Sequence, residues 1–150
     1  MTPQVKYPRH VVGAVIIERQ CLLMVKNGTG PRIGRWGFPG GSVEWGETMS
    51  EALKRELREE CNLEVEVLEL YRLSDFIVRH ADEVTDHFIL SHHLCRITDG
   101  ELRAGSDATD MRWIPIHDLE EIRKEGGIIE SLLDGVIEML RDIHETGLIH

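Results

Sequence analysis

The chain has 150 residues, is 41% hydrophobic and 29% charged, and carries a formal net charge of −10. That is the composition of an ordinary soluble protein, expected to form one domain over residues 1–150. The acidic balance comes without a basic cluster, which argues against a long nucleic acid as partner, because phosphate contacts supply most of such affinity. Residues Met1–His10 contain no apolar signal core, and the longest apolar stretch, Val11–Ile17, is too short to cross a bilayer. A cytoplasmic protein without membrane contact is expected. Cys21, Cys61 and Cys95 lack CxxC spacing and read as reduced, packed thiols.

In chain order, Val11–Glu18 and Cys21–Lys26 are β-branched-rich runs separated by Arg19-Gln20, which predicts a hairpin. Asn27–Gly41 reads as a loop, rich in Gly and Pro. Thr48 followed by Glu51 has capping-box spacing and predicts a helix start. Met49, Leu53 and Leu57 then form one apolar stripe. Leu63–Leu70 alternates apolar and acidic residues as a half-buried strand; Leu73–Arg79 and His87–Ile97 predict two more. Asp99-Gly100 signals a turn, and Met111–Ile116 a short strand broken at Pro115. Asp118 suits the cap of a short helix, and Ile128–Ile143 forms a last amphipathic helix whose apolar stripe is core, with a contact between two copies of the chain as the alternative. Strands, helix, strands, helix is the order of an α+β or layered α/β/α domain.

The predicted first helix carries Glu56, Glu59 and Glu60 at i, i+3 and i+4. Like charges so placed destabilise an isolated helix by about 0.2–0.5 kcal/mol per pair, and a hard cation such as Mg²⁺ or Mn²⁺ would relieve this. A solvated charged helix is the alternative, since Glu51–Arg55 and Arg55–Glu59 are good ion-pair spacings. The upstream Trp36-Gly37-Phe38-Pro39-Gly40-Gly41 favours the metal reading, because such a loop can turn a backbone carbonyl toward an ion.

Gly41, Glu47, Arg55, Glu56, Leu57, Glu59, Glu60 and Leu63 together fall on the spacing G-x5-E-x7-R-E-U-x-E-E-x-G-U, U being bulky and apolar. This resembles the Nudix box, the signature of hydrolases that cleave a diphosphate attached to another group. Asn62 stands where that family has Gly, and Asn is the next-best residue for a left-handed helix end. The segments Trp36–Gly41 and Arg112–Leu119 also resemble the family. The resemblance implies the α+β Nudix fold, a mixed β-sheet sandwiched between helices. It implies metal binding by Glu56, Glu59, Glu60 and the Gly40 carbonyl, with Mg²⁺ as cofactor or Mn²⁺ in its place. Glu47 and Arg55 match a structural salt bridge.

The reaction implied is attack of activated water on phosphorus in a small nucleotide-type substrate. For the general base the resemblance implies either an acidic residue on a loop after the box or a box glutamate; the loop candidates are Asp107 and Asp110, with Glu101 third, and a loop acid exposed to solvent is the plain reading of each. Arg32 and Arg35, near the glycine loop, are candidates for phosphate contacts ahead of Arg79 and Arg112, and Phe38 or Trp45 for stacking on a base. His92 and His93 are adjacent on a strand and face opposite sides, so they do not share an ion. The ADP-ribose subgroup usually carries a proline after the box, which this chain lacks before Pro115, and no tyrosine follows Tyr71 to match the dinucleoside-polyphosphate subgroup. A nucleoside triphosphate, normal or oxidised, or a nucleotide sugar is favoured, with ADP-ribose open. Many relatives are homodimers. A nucleotide sensor without hydrolysis is the alternative function, disfavoured because every box carboxylate is present.

Overall fold

The computed structural model of the protein describes residues 6–28, 34–103 and 108–124, together with Glu138. In chain order these form strands β1 (Arg9–Val15), β2 (Ile17–Glu18), β3 (Cys21–Asn27), β4 (Trp36–Gly37) and β5 (Gly40–Ser42). Helix α1 (Met49–Cys61) follows, then β6 (Leu63–His80), β7 (Glu83–Gly100) and β8 (Ala108–Pro115). A turn of 3-10 helix, Ile116–Asp118, leads into α2 (Leu119–Lys124).

Two sheets share the core. The first has the order β5-β1-β7-β6, with β1 parallel to β7 and the other pairs antiparallel. The second is built on β3, which pairs antiparallel with β2, β4 and β8. The expected α+β architecture is therefore present, with one mixed sheet and a helix on each side of the strands. Leu53 and Leu57 of α1 are fully buried with Val12, Ala14, Leu23 and Val25. Leu119, opening α2, packs instead with Val15, Leu22, Met24, Trp36 and Leu94. Burying a leucine side chain contributes about 1.5–3 kcal/mol, so these two contacts anchor α1.

Several boundaries differ from the sequence reading. The hairpin across Arg19-Gln20 is confined to Ile17-Glu18 against Cys21-Leu22, where both turn residues have positive φ (49° and 63°). Upstream, β1 leaves for the other sheet, because its successive residues bury against opposite layers and both faces need cover. Leu63–Leu70 and Leu73–Arg79 are one strand. Register shifts at Val67/Glu69 and Leu70/Arg72 break the alternation that separated them. His87–Ile97 lies inside the longer β7, and Asp99-Gly100 still pairs with Glu64 and Leu63. The chain reverses instead between β6 and β7 at Ala81, which takes φ 55°. The predicted Asn27–Gly41 loop begins on the last residue of β3 and contains β4 and the start of β5. The last helix expected at Ile128–Ile143 lies outside the described residues apart from Glu138, which is helical. All three cysteines are free; Cys61 and Cys95 are buried, and burial pushes both thiols up to about 12.

Helix α1 starts and stops where its capping residues dictate. The Thr48 hydroxyl accepts the Glu51 N–H at 3.1 Å. Met49, in the first turn, is 38% exposed, so the buried stripe is Ala52, Leu53, Leu57 and Cys61 rather than one beginning at Met49. Asn62 ends the helix at φ 60° and ψ 37°, its N–H bonded back to the Arg58 carbonyl and its side-chain amide donating to the Glu101 carbonyl at 2.8 Å. Asn62→Ala forces a β-carbon into the left-handed region and removes that amide. It is expected to lower stability by about 1–2 kcal/mol, measurable by urea denaturation, whereas Asn62→Gly should cost less.

Candidate active site

The connection from β5 into α1 is tied down by one side chain. Arg55 Nε donates to Glu47 Oε2 at 2.7 Å, and its Nη2 donates to Glu47 Oε1 at 3.0 Å and to the Ser42 carbonyl at 2.9 Å. The planar guanidinium thus meets Glu47 in the bidentate manner that lysine cannot copy. Its Nη1 donates to Glu56 Oε1 at 2.9 Å and Glu59 Oε2 at 3.4 Å, with Glu44 at 3.8 Å. Glu47 closes the loop further by accepting the Glu44 N–H at 3.0 Å. The Glu47–Arg55 pair expected from sequence is present, and so is Arg55–Glu59. Glu51 is engaged by Thr48 at the helix start instead.

Two of the three glutamates meet the strand edge, each differently. Glu60 Oε1 accepts the Gly40 N–H at 3.2 Å. Glu56 lies against Gly41 so closely that a β-carbon there would overlap its carboxylate. A β-carbon at Gly40 would likewise collide with the Val12 carbonyl. These two glycines are present because backbone and carboxylate must approach closely. Burial pushes the Glu56 carboxyl above the usual range, opposed by the Arg55 hydrogen bond and charge and helped by Glu59 and Glu47. Glu59 is exposed. Among the described residues no three His, Cys, Asp or Glu side chains already converge as a cage for an ion. The side chains that meet this edge, Glu56 and Glu60, offer carboxylate oxygens, the donor type that suits a hard divalent cation.

The remaining candidates are dispersed. Asp110 lies in β8, where it accepts the Met111 N–H at 2.9 Å and pairs with Arg112 at 3.2 Å; Asp107 lies outside the described residues, as does Arg32. Arg35 is exposed, and its carbonyl accepts the Asn27 N–H at 3.0 Å. Phe38 is half-buried and meets His92 edge to face at 5.1 Å between ring centroids. Trp45 is fully exposed, Arg79 is exposed, and the Arg112 guanidinium lies over the Trp36 ring. His92 and His93 do face opposite ways: His92 lies over Gly13, while His93 Nε2 is 2.9 Å from Ser91 Oγ. Sequence reasoning missed Ser42 and Glu44 as partners of Arg55. Ser42 contributes only its carbonyl, which no residue type announces.

The Glu47–Arg55 bond has a pH signature. Hydrogen bonding to Arg55 and to the Glu44 backbone lowers the Glu47 pKa from 4.5 to about 2. A folded-state pKa below the unfolded one gives stability that is complete above about pH 4.5 and is lost as pH falls toward 2. The stability difference between the wild type and Glu47→Gln, followed by denaturant titration at successive pH values, should therefore shrink over that window and level off above it.

A family model, the NUDIX domain, matches residues 7–133. The chain is 30% identical over 116 residues to an ADP-ribose pyrophosphatase of Methanocaldococcus jannaschii, covering 77% of this chain and 67% of that protein. It is 32% identical over 140 residues to a putative 8-oxo-dGTP diphosphatase 2 of Mycobacterium tuberculosis, covering 89% and 94%. Among solved structures, a MutT NUDIX hydrolase from Burkholderia pseudomallei superimposes with a TM-score of 0.68 at 28% identity, over 75% of this chain and 86% of that one. The chain belongs to the Nudix family and is a hydrolase of phosphorus-containing acid anhydrides.

Proposed function

We propose that this enzyme hydrolyses the diphosphate linkage of a small nucleotide-type substrate, using Mg²⁺ or Mn²⁺ held by Glu56, Glu59, Glu60 and the Gly40 carbonyl. The observation that carries this reading is the approach of Glu56 and Glu60 to the Gly40–Gly41 backbone at the β5 edge. A divalent ion bound there would neutralise phosphate oxygens and acidify water. The chain's own residues do the rest. Arg55 holds Glu56 against the strand and fixes the loop through Glu47. Glu60 fixes the Gly40 amide. Asp107 or Asp110 takes the proton of the attacking water, Arg32 and Arg35 contact phosphate, and Phe38 contacts the base.

A nucleoside triphosphate, normal or oxidised, or a nucleotide sugar is the favoured substrate, with ADP-ribose the alternative. The relatives named for 8-oxo-dGTP and for ADP-ribose support that range without choosing within it. We also infer a cytoplasmic homodimer. Free cysteines fit a reducing compartment, and Leu68, Leu70 and Leu73 are exposed along β6 at the sheet edge. A monomeric mass in sedimentation equilibrium would refute the dimer.

The direct test is phosphate or pyrophosphate release across nucleoside triphosphates, oxidised dGTP, ADP-ribose and nucleotide sugars, with divalent ion and with chelator. Turnover should require the ion and fall by about 100-fold or more in Glu56→Gln and in Glu60→Gln, with unchanged melting temperatures. Turnover retained in both variants would refute the assignment.

A further inference from the structure

The face of the four-stranded sheet turned away from α1 carries an unusual row. Gly40, Gly13, His92 and Arg72 stand directly opposite one another on β5, β1, β7 and β6, so they share one face. With strands about 4.8 Å apart, His92 lies roughly 10 Å along this row from Gly40, whose amide meets Glu60. The His92 ring fills the space above Gly13, and Phe38 packs against it. Beside the row, Phe38, Phe76 and Phe88 gather around Leu90, the last two rings stacked at 6.3 Å.

Two polar atoms are buried on this face with no hydrogen-bond partner among the described residues, Arg72 Nη1 and His92 Nδ1. Native interiors rarely leave such groups unsatisfied, and each exception calls for an explanation. Arg9, Arg55, Arg58, Arg96 and Arg112 each pair with a carboxylate, whereas no carboxylate pairs with Arg72 among the described residues. His92 is 4% exposed. Burial first, then the charges of Arg72 and His93, hold its pKa down to about 4, so it stays neutral beside the guanidinium. Arg72 as a whole is only half-buried, which leaves a way in from solvent. Aromatic walls with a few convergent polar groups make a small-molecule site rather than a structural ion pair.

We propose that Arg72 and His92 recognise an acceptor oxygen of the substrate remote from the scissile diphosphate, either a base carbonyl or a distal phosphate oxygen. This rests on the nucleotide-hydrolase reading above, and makes the pair a determinant of which substrate is taken. Arg72 donates to that oxygen, and His92 adds its Nδ1 as a second polar contact.

The test compares wild type, Arg72→Met, Arg72→Lys and His92→Phe, the last keeping a ring against Phe38. Steady-state kinetics are run with GTP, and calorimetric titrations with guanosine and with inorganic pyrophosphate, after circular dichroism confirms folding. Arg72→Met should raise KM by about tenfold or more while kcat stays within about threefold, with partial recovery in Arg72→Lys. His92→Phe should shift KM in the same direction. Weakened guanosine binding identifies the base carbonyl as the acceptor; weakened pyrophosphate binding with guanosine unaffected identifies the phosphate. Unchanged KM and unchanged binding of both probes in any folded variant overturn the proposal. A wild type that binds the probes without turning over GTP would count against hydrolysis of that substrate, and the titrations would still decide the role of Arg72.

Discussion

The Arg55 guanidinium, a planar fork of donors on an acidic helix, is shared among Glu47, Glu56, Glu59 and the Ser42 carbonyl. Without it, Glu44 and Glu47 of the β5–α1 connection and Glu56 and Glu59 of α1 would lie near one another with nothing at their centre to offset their repulsion. With it, loop and helix hold a fixed relation, and the Glu56 carboxylate stays at the backbone of Gly41. The strength of the bond shows on both partners: Glu47 falls to about 2 and Arg55 rises further above its usual range. Since Arg55 is mostly shielded from water, this network is screened less by salt than an ordinary surface pair.

That electrostatic hub works only because packing delivers the helix to the right place. Leu53 and Leu57 seat α1 on Val12, Ala14, Leu23 and Val25. The absence of side chains at Gly40 and Gly41 then lets the edge strand close against β1 on one side and the carboxylates on the other. Asn62 stops the helix and ties its end to the segment after β7 through the Glu101 carbonyl. Asn62 takes the left-handed conformation that a glycine would take at this helix end, and adds a hydrogen bond that Gly could not make.

The two faces of the mixed sheet treat their cations differently. On the α1 side, Arg55 is surrounded by carboxylates. On the opposite face, Arg72 stands beside a neutral histidine and aromatic rings, with no carboxylate paired to it among the described residues. The row Gly40–Gly13–His92–Arg72 runs across all four strands on that face, in direct register.

The sequence by itself determined the parts governed by neighbours a few residues apart. The Thr48 cap, the apolar positions Leu53 and Leu57, the left-handed stop at Asn62 and the opposed directions of His92 and His93 are all properties of local spacing, whereas the Glu47–Arg55 pairing is implied by the family resemblance. Tertiary structure decided what depends on distant partners. It split the first apolar run between two sheets and fused two predicted strands into β6. It exposed Met49 at the end of the stripe, recruited the Ser42 carbonyl to Arg55, and put Asp110 in a strand beside Arg112. Arg72 and His92 are twenty residues apart in the chain and face each other only because β6 and β7 pair in one register. Spacing within one element follows from covalent geometry, whereas register between strands follows from how two faces bury together, and a single residue of slippage would have turned Arg72 to the other side.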